Sequence, residues 1–156
     1  MVTAGWKEEK MATHYAEDDW RKPIQKMEVG DTHRTKSRVI TRTDVEVFAV
    51  MGGDIAPQFL SSEASRESGW KDQLVPGLCT LNIGYGLLIQ SGFIADVIAY
   101  METSRMRFKA PVYPGDAIRM ETKVTSRKKT HKGWLCEYDW TIRNQDELAV
   151  AEGHNV

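Results

Sequence analysis

The chain has 156 residues, the size of one ordinary domain, and folding at that length buries roughly two thirds of the surface that an unfolded chain exposes. Its 21 basic and 22 acidic residues are interspersed and sum to a formal charge of -1, which leaves no single-sign field to hold a polyanion or an anionic bilayer. Nucleic acid and membrane are therefore not expected partners. The first 30 residues are charged throughout and contain no apolar leader core, and no apolar run reaches the roughly 18 residues of a membrane span, so the expected location is the cytoplasm. Cys79 and Cys136 lie in apolar segments without a second cysteine or histidine at metal-ligand spacing. They read as two buried free thiols of a reducing compartment, with a disulfide or a zinc ligand as the alternatives.

Residues 1–27 are polar, with Trp6, Tyr15 and Trp20 as the sizeable apolar anchors, and are expected to form an extension on the domain surface or a partly mobile one. A domain over 28–156 follows. Val39-Ile40 closes a β-like run, and Thr43-Asp44-Val45-Glu46 has the spacing of a capping box, which predicts a short helix over about 44–51. Gly52-Gly53 ends it. After Pro57, Ser61 stands as an N-cap for a second short helix over Ser61 to Glu67, stopped by Gly69.

The most apolar stretch runs from Val75 to Phe93, with Leu78, Leu81, Tyr85, Leu88 and Ile89 at helical spacing. Gly84 and Gly86 inside it each cost about 1 kcal/mol relative to alanine, a penalty that makes sense where another backbone or sheet approaches closely. The C-terminal third switches to a period of two: Ile118, Met120 and Val124, then Trp134, Cys136, Tyr138, Trp140 and Ile142, alternate with polar residues. Tyr113-Pro114-Gly115-Asp116, a basic loop from Ser126 to Gly133, and Arg143-Asn144-Gln145-Asp146 are the turn signals between strands. With strands over about 101–112 and near 147–153, these make an antiparallel meander. The order of segments predicts a single α+β domain in which a curved sheet wraps one long buried helix.

Three stretches carry a family resemblance: Gly53-Asp54-Ile55-Ala56-Pro57, Val75-Pro76-Gly77-Leu78-Cys79-Thr80, and Arg107-Phe108-Lys109-Ala110-Pro111-Val112-Tyr113-Pro114-Gly115-Asp116. In order and separation they resemble the MaoC-like hydratase/dehydratase family, over about Val29 to Gly153. That resemblance implies a hot dog fold and an acyl thioester substrate, on coenzyme A or acyl carrier protein, to which water is added or from which it is removed. It implies no cofactor and no metal, and a homodimer, or a heterodimer with a related hot dog chain, because hot dog sheets commonly join edge to edge.

The family pattern Gly-Asp-x-Asn-Pro-x-His places its aspartate on Asp54 and its proline on Pro57, but its asparagine falls on Ala56 and its catalytic histidine on Phe59. The usual His-Gly-Met reads Pro76-Gly77-Leu78. By resemblance, Asp54 is the acid/base and the Gly77 amide is the donor to the thioester oxygen. Pro57, Phe59, Pro76, Leu78 and Thr80 then surround the substrate. Hydration needs a base for water, an acid for the α-carbon and donors for the developing oxyanion, and a helix N-terminus provides the last through its unpaired amides. On spacing alone, Asp54 reads equally as a turn aspartate and Gly77 as a hinge. Thr80 and Asn82 stand as substrate donors or as capping and interhelix hydrogen-bond partners.

None of the four histidines, His14, His33, His131 and His154, is placed to replace the missing one, and each reads as a solvated surface group. The basic run Arg127-Lys128-Lys129-Thr130-His131-Lys132 reads as a solvated hairpin tip, with a phosphate or carrier-protein site as the alternative. Trp134, Tyr138 and Trp140 read as sheet core or dimer surface rather than a ligand box. Three functions remain open: a hydro-lyase using Asp54 and Gly77, a non-catalytic acyl-thioester-binding subunit paired with a histidine-bearing chain, and a hot dog thioesterase.

Overall fold

The computed structural model of the chain describes residues 13–15, by their backbone, and 23–156. In chain order the elements are β1 (Thr13–Tyr15), β2 (Thr32–Arg34), β3 (Arg38–Val39), α1 (Arg42–Gly52), α2 (Pro57–Leu60), α3 (Ser62–Glu67), α4 (Gly77–Gln90), β4 (Thr103–Phe108), β5 (Ala117–Thr130), β6 (Gly133–Arg143) and β7 (Ala149–Asn155). The sheet runs β1-β2-β5-β6-β7-β4, with β3 also paired to β5. All pairs are antiparallel except β1 with β2. This is the hot dog arrangement: one long helix against a curved antiparallel sheet. No described helix is long and apolar enough to cross a membrane.

Alternation set up the sheet's inner face as expected. Met120 lies opposite Ile142 and Val124 opposite Tyr138, while Ile142 in turn faces Ala151 across β7. Met120, Val124, Trp140, Ile142 and Ala151 are all buried, and burying each such apolar side chain is worth roughly 1.5–3 kcal/mol. The helix α4 lies on this face. Its buried residues are Cys79, Thr80, Ile83, Gly84, Leu87 and Leu88, a stripe at helical spacing. The stripe differs from the expected one. Leu88 is buried, but Leu78 and Ile89 are 54% and 60% exposed, because the glycine side of the helix, not its leucine side, meets the sheet.

Gly84 explains the choice of face. A Cβ on it would stand 2.7 Å from Ile142 Cδ1 and 3.2 Å from Ile142 Cγ1, so only glycine lets the helix sit this deep. Around Gly86 there is open space within 4 Å, and close approach does not account for that glycine.

Several local expectations shift. The capping box belongs to Thr41 and Asp44 rather than Thr43 and Glu46: Thr41 accepts from the Asp44 amide, and the Asp44 carboxylate accepts from the Thr41 amide, 2.8 Å away. The first turn of α1 therefore starts two residues earlier, at Arg42. Burial opposes ionisation of Asp44, but hydrogen bonds from Thr41 and Arg38 outweigh it and hold the carboxyl below its ordinary value. Ser61 caps α3 as expected, accepting from Ala64.

The basic run is not a loop up to Gly133. The strand β5 continues to Thr130 and leaves His131-Lys132 as a two-residue turn, because pairing with β6 holds Arg127, Lys128 and Lys129 in register. The strands after α4 are not a simple meander either, since β4 crosses to the far edge and pairs with β7.

The backbone of Thr13–Tyr15 forms a strand beside β2, within the expected extension, and core packing begins at fully buried Met27. Trp6, Trp20 and the side chains of His14 and Tyr15 lie outside the described residues. Two histidines are not surface groups. His33 is 1% exposed and stacks on Phe93 with ring centroids 5.5 Å apart. Its Nε2 donates to Ser91 Oγ at 2.6 Å, for the Ser91 proton already goes to the Leu88 carbonyl. His154 is half-buried, with Nδ1 2.8 Å from Asp139 Oδ1. Both face inward or across strands because they sit within paired β segments. The two cysteines are free and buried, and burial, the leading cause, pushes each thiol up to about 11.

The glycine pair gives a direct test of helix depth. Gly84→Ala is expected to lower stability in urea by about 1–3 kcal/mol, through overpacking against Ile142, whereas Gly86→Ala raises it by roughly 0.5–1 kcal/mol through helix propensity. Equal effects of the two substitutions would contradict the packing described.

Candidate active site at the N-terminus of the long helix

The N-terminus of α4 opens into a cleft of about 400 Å³, within the range of small-molecule sites. Asp54, Phe59, Gly77, Leu78 and Thr80, five of the residues singled out from the sequence, line it together. Pro57 and Pro76 do not. Pro57 is exposed at the first position of α2, and Pro76 is the buried N-cap of α4. Phe48 also stays outside the cleft and packs on the core.

Local chemistry brings these residues together. Gly53 takes the left-handed conformation at φ 72° and turns the chain out of α1, so that Asp54 starts a new direction. The segment from 56 to 75 is then tied down by hydrogen bonds: Leu74 donates its amide to the Gln58 carbonyl at 3.0 Å, and the Gln73 side chain donates to the Phe59 carbonyl at 2.6 Å. The guanidinium of Arg42 reaches from α1 to Gln73 Oε1, to Ser62 Oγ at 3.1 Å and to Asp72 at 3.4 Å. The Val75 amide donates to the Val112 carbonyl at 2.9 Å, joining this segment to the chain beyond β4.

Pro76 offers no side-chain acceptor, and the first helical bond runs from the Thr80 amide to the Pro76 carbonyl at 3.1 Å. The amides of Gly77, Leu78 and Cys79 precede that bond and lack an intrahelical acceptor. The helix dipole adds partial positive charge at the same place. The Thr80 hydroxyl also donates to the Pro76 carbonyl at 3.4 Å, a bond back to the residue four earlier that caps no amide.

Phe108, Trp70, Leu74, Val75, Ala110, Pro111, Val112 and Val150 complete an apolar wall, and Asp54 and Lys109 are the charged residues in it. Lys109 is paired with Glu152 at 3.0 Å. The ring of Phe108 covers Gly77 so closely that a Cβ there would lie 2.8 Å from two of its carbons. Sequence reasoning named neither Phe108 nor Trp70 as site residues. The signal for Phe108 was its place in the Arg107–Asp116 stretch; Trp70 had none beyond being a large aromatic in a polar segment.

Comparison with known proteins bears on the family and the fold. The profile of the MaoC like domain matches residues 25–138. Protein MaoC of Klebsiella aerogenes is 31% identical over 113 residues, covering 72% of this chain and 33% of its own, so the chain spans about a third of that relative. The uncharacterized protein YdeM of Bacillus subtilis (strain 168) is 30% identical over 135 residues, covering 83% of this chain and 93% of its own. Among solved structures, the (R)-hydratase from A. caviae involved in PHA biosynthesis aligns with a TM-score of 0.71 and 24% identity, over 84% of this chain and 96% of the other.

The contact over Gly77 predicts a measurable coupling. Gly77→Ala alone is expected to cost about 1 kcal/mol by displacing the Phe108 ring. In a Phe108→Ala background the same substitution costs less by at least about 0.5 kcal/mol, read as the coupling of a double-mutant cycle in urea unfolding. Strict additivity would place the ring elsewhere.

Proposed function

The chain belongs to the MaoC-like domain family, and on that premise we propose that it is a hydro-lyase for an enoyl or 3-hydroxyacyl thioester carried on coenzyme A or acyl carrier protein. The observation that carries this reading is that Asp54 and the unpaired first amides of α4 line one apolar cleft.

In this reading the thioester oxygen accepts a hydrogen bond from the Gly77 amide, helped by the helix dipole. The Asp54 carboxylate takes a proton from water while the water oxygen bonds to the β-carbon. The double-bond electrons move onto the thioester as an enolate held at the Gly77 amide. The Asp54 carboxylic acid then returns its proton to the α-carbon, and one water has been added. A single carboxylate closes the proton count. Phe59 contributes an apolar surface where a hydrogen-bonding side chain would have anchored the water, so the uncatalysed orientation of water limits the rate.

That same residue supports a second reading, in which the chain binds acyl thioesters without turning them over and its partner supplies the histidine. Wild-type protein and the Asp54→Asn and Phe59→His variants, incubated with crotonyl and longer enoyl thioesters of coenzyme A, separate the two. Hydration is expected for the wild type, falling at least about 100-fold in Asp54→Asn and rising in Phe59→His. Thioester binding with no hydration by the wild type favours the binding subunit, and thiol release without hydration assigns a thioesterase.

The partner in our reading is a second hot dog chain, by default a copy of this one. Two observations support it: β4 pairs with β7 on one side and ends the sheet, and an apolar side chain just before it is exposed, Met101 at 69%. Met106, on β4 itself, is also exposed. Met106→Lys is expected to convert a dimer to a monomer in sedimentation velocity, and a wild-type protein that sediments as a monomer at high concentration refutes this arrangement.

A further inference from the structure

A second cavity of about 140 Å³ lies along the C-terminal half of α4. Between Gly77 and Tyr85 the helix rises about 12 Å, so this space is apart from the cleft at the N-terminus. Leu88, Ile89, Phe93, Ile94, Val97 and Ile98 make it apolar, and Tyr85, Tyr100 and Tyr138 bring phenols to it.

The protons of these phenols can be counted. Trp140 Nε1, a donor only, gives its proton to Asn155 Oδ1 at 2.9 Å, which fixes the orientation of the Asn155 amide. Thr103 also donates to Asn155 Oδ1, at 3.2 Å. The Asn155 nitrogen then donates both protons, to Tyr85 at 2.6 Å and to Tyr138 at 2.9 Å. Tyr100 donates to Tyr85, and the Thr103 hydroxyl, which donates to Asn155, also lies within hydrogen-bond reach of Tyr100. Tyr85 accepts from both Asn155 and Tyr100, and its own proton has no acceptor among the described residues.

Tyr138 is the more deeply buried of the two phenols left with a free proton. Its oxygen accepts from Asn155, and its own proton has no acceptor among the described residues. It is 6% exposed, its ring is held edge-on by Phe93 at 5.1 Å, and burial, the leading cause, raises its pKa so that the hydroxyl stays protonated. A buried donor without an acceptor is unfavourable, and a bound acceptor would relieve it.

We infer that this cavity is a second binding site, independent of the proposed chemistry, for a small neutral molecule with an apolar body and one acceptor oxygen, a cyclic or short-chain ketone being the representative class. The size suits it, since an apolar cavity of about 150 Å³ accommodates benzene. Tyr138 donates to the carbonyl, and Leu88, Phe93 and Ile94 enclose the hydrocarbon.

Ligand-observed NMR titration of the full chain with cyclohexanone and with methylcyclohexane tests the assignment, in the wild type, Tyr138→Phe and Ala99→Phe. Ala99 lines the cavity and is exposed, so its replacement fills the space without touching the core. The wild type is expected to bind cyclohexanone; Tyr138→Phe weakens it about tenfold while leaving methylcyclohexane unchanged, and Ala99→Phe abolishes both. No ketone binding to the wild type, as for a cavity that holds water only, overturns the inference. So does ketone affinity unchanged in either variant. If Tyr138→Phe does not fold, the Ala99→Phe result decides alone.

Discussion

The distance between α4 and the sheet governs the rest of the molecule, and Gly84 sets it. With no Cβ at that position the helix rests on Ile142 and, beyond it, Met120. A methyl group there would press on the end of the Ile142 side chain, which would have to shift for the helix to keep its depth. Depth determines which side of α4 is buried, and so where Gly77 points at one end and Tyr85 at the other. Close packing makes such a position intolerant, because an interior at crystal-like density has no slack to absorb it.

At the N-terminal end, the consequence is electrostatic. Pro76 breaks the backbone pattern without supplying a cap, so the leading amides stay available at the floor of an otherwise apolar cleft. Hydrogen bonds and fields are stronger where water is scarce, so the donor strength of those amides is enhanced there. Phe59 and Phe108 increase that scarcity.

On the outer face of the sheet, polar residues hold the strands by charge. Glu121 receives Arg143 at 3.0 Å and Arg119 at 3.1 Å, with Arg34 at 2.9 Å. Burial works against its ionisation, but these partners outweigh it and keep the carboxyl below its ordinary value. Arg119 is itself buried and also meets Glu147, so removing Glu121 would leave its charge with that one, more exposed partner.

The amino-acid sequence by itself determined the α+β class, the single buried helix, the alternating strands, the Ser61 cap and the turn at Tyr113–Asp116, whose Tyr113 amide donates to the Asp116 carboxylate at 2.9 Å. Those features depend on neighbours within a few residues, and local periodicity and turn chemistry report them directly. It also carried the three stretches that meet at the cleft. Tertiary structure alone decided that the Gly84 side of α4 faces inward, that β4 crosses to β7, that His33 is buried against Phe93 and that Phe108 covers Gly77. Each is a contact between residues far apart in the chain, and a helix with apolar residues on more than one side does not state which side a distant strand will take. The proton of Tyr138 belongs to the same class: its isolation follows from Asn155, 17 residues away, whose Oδ1 already accepts from Trp140 and Thr103.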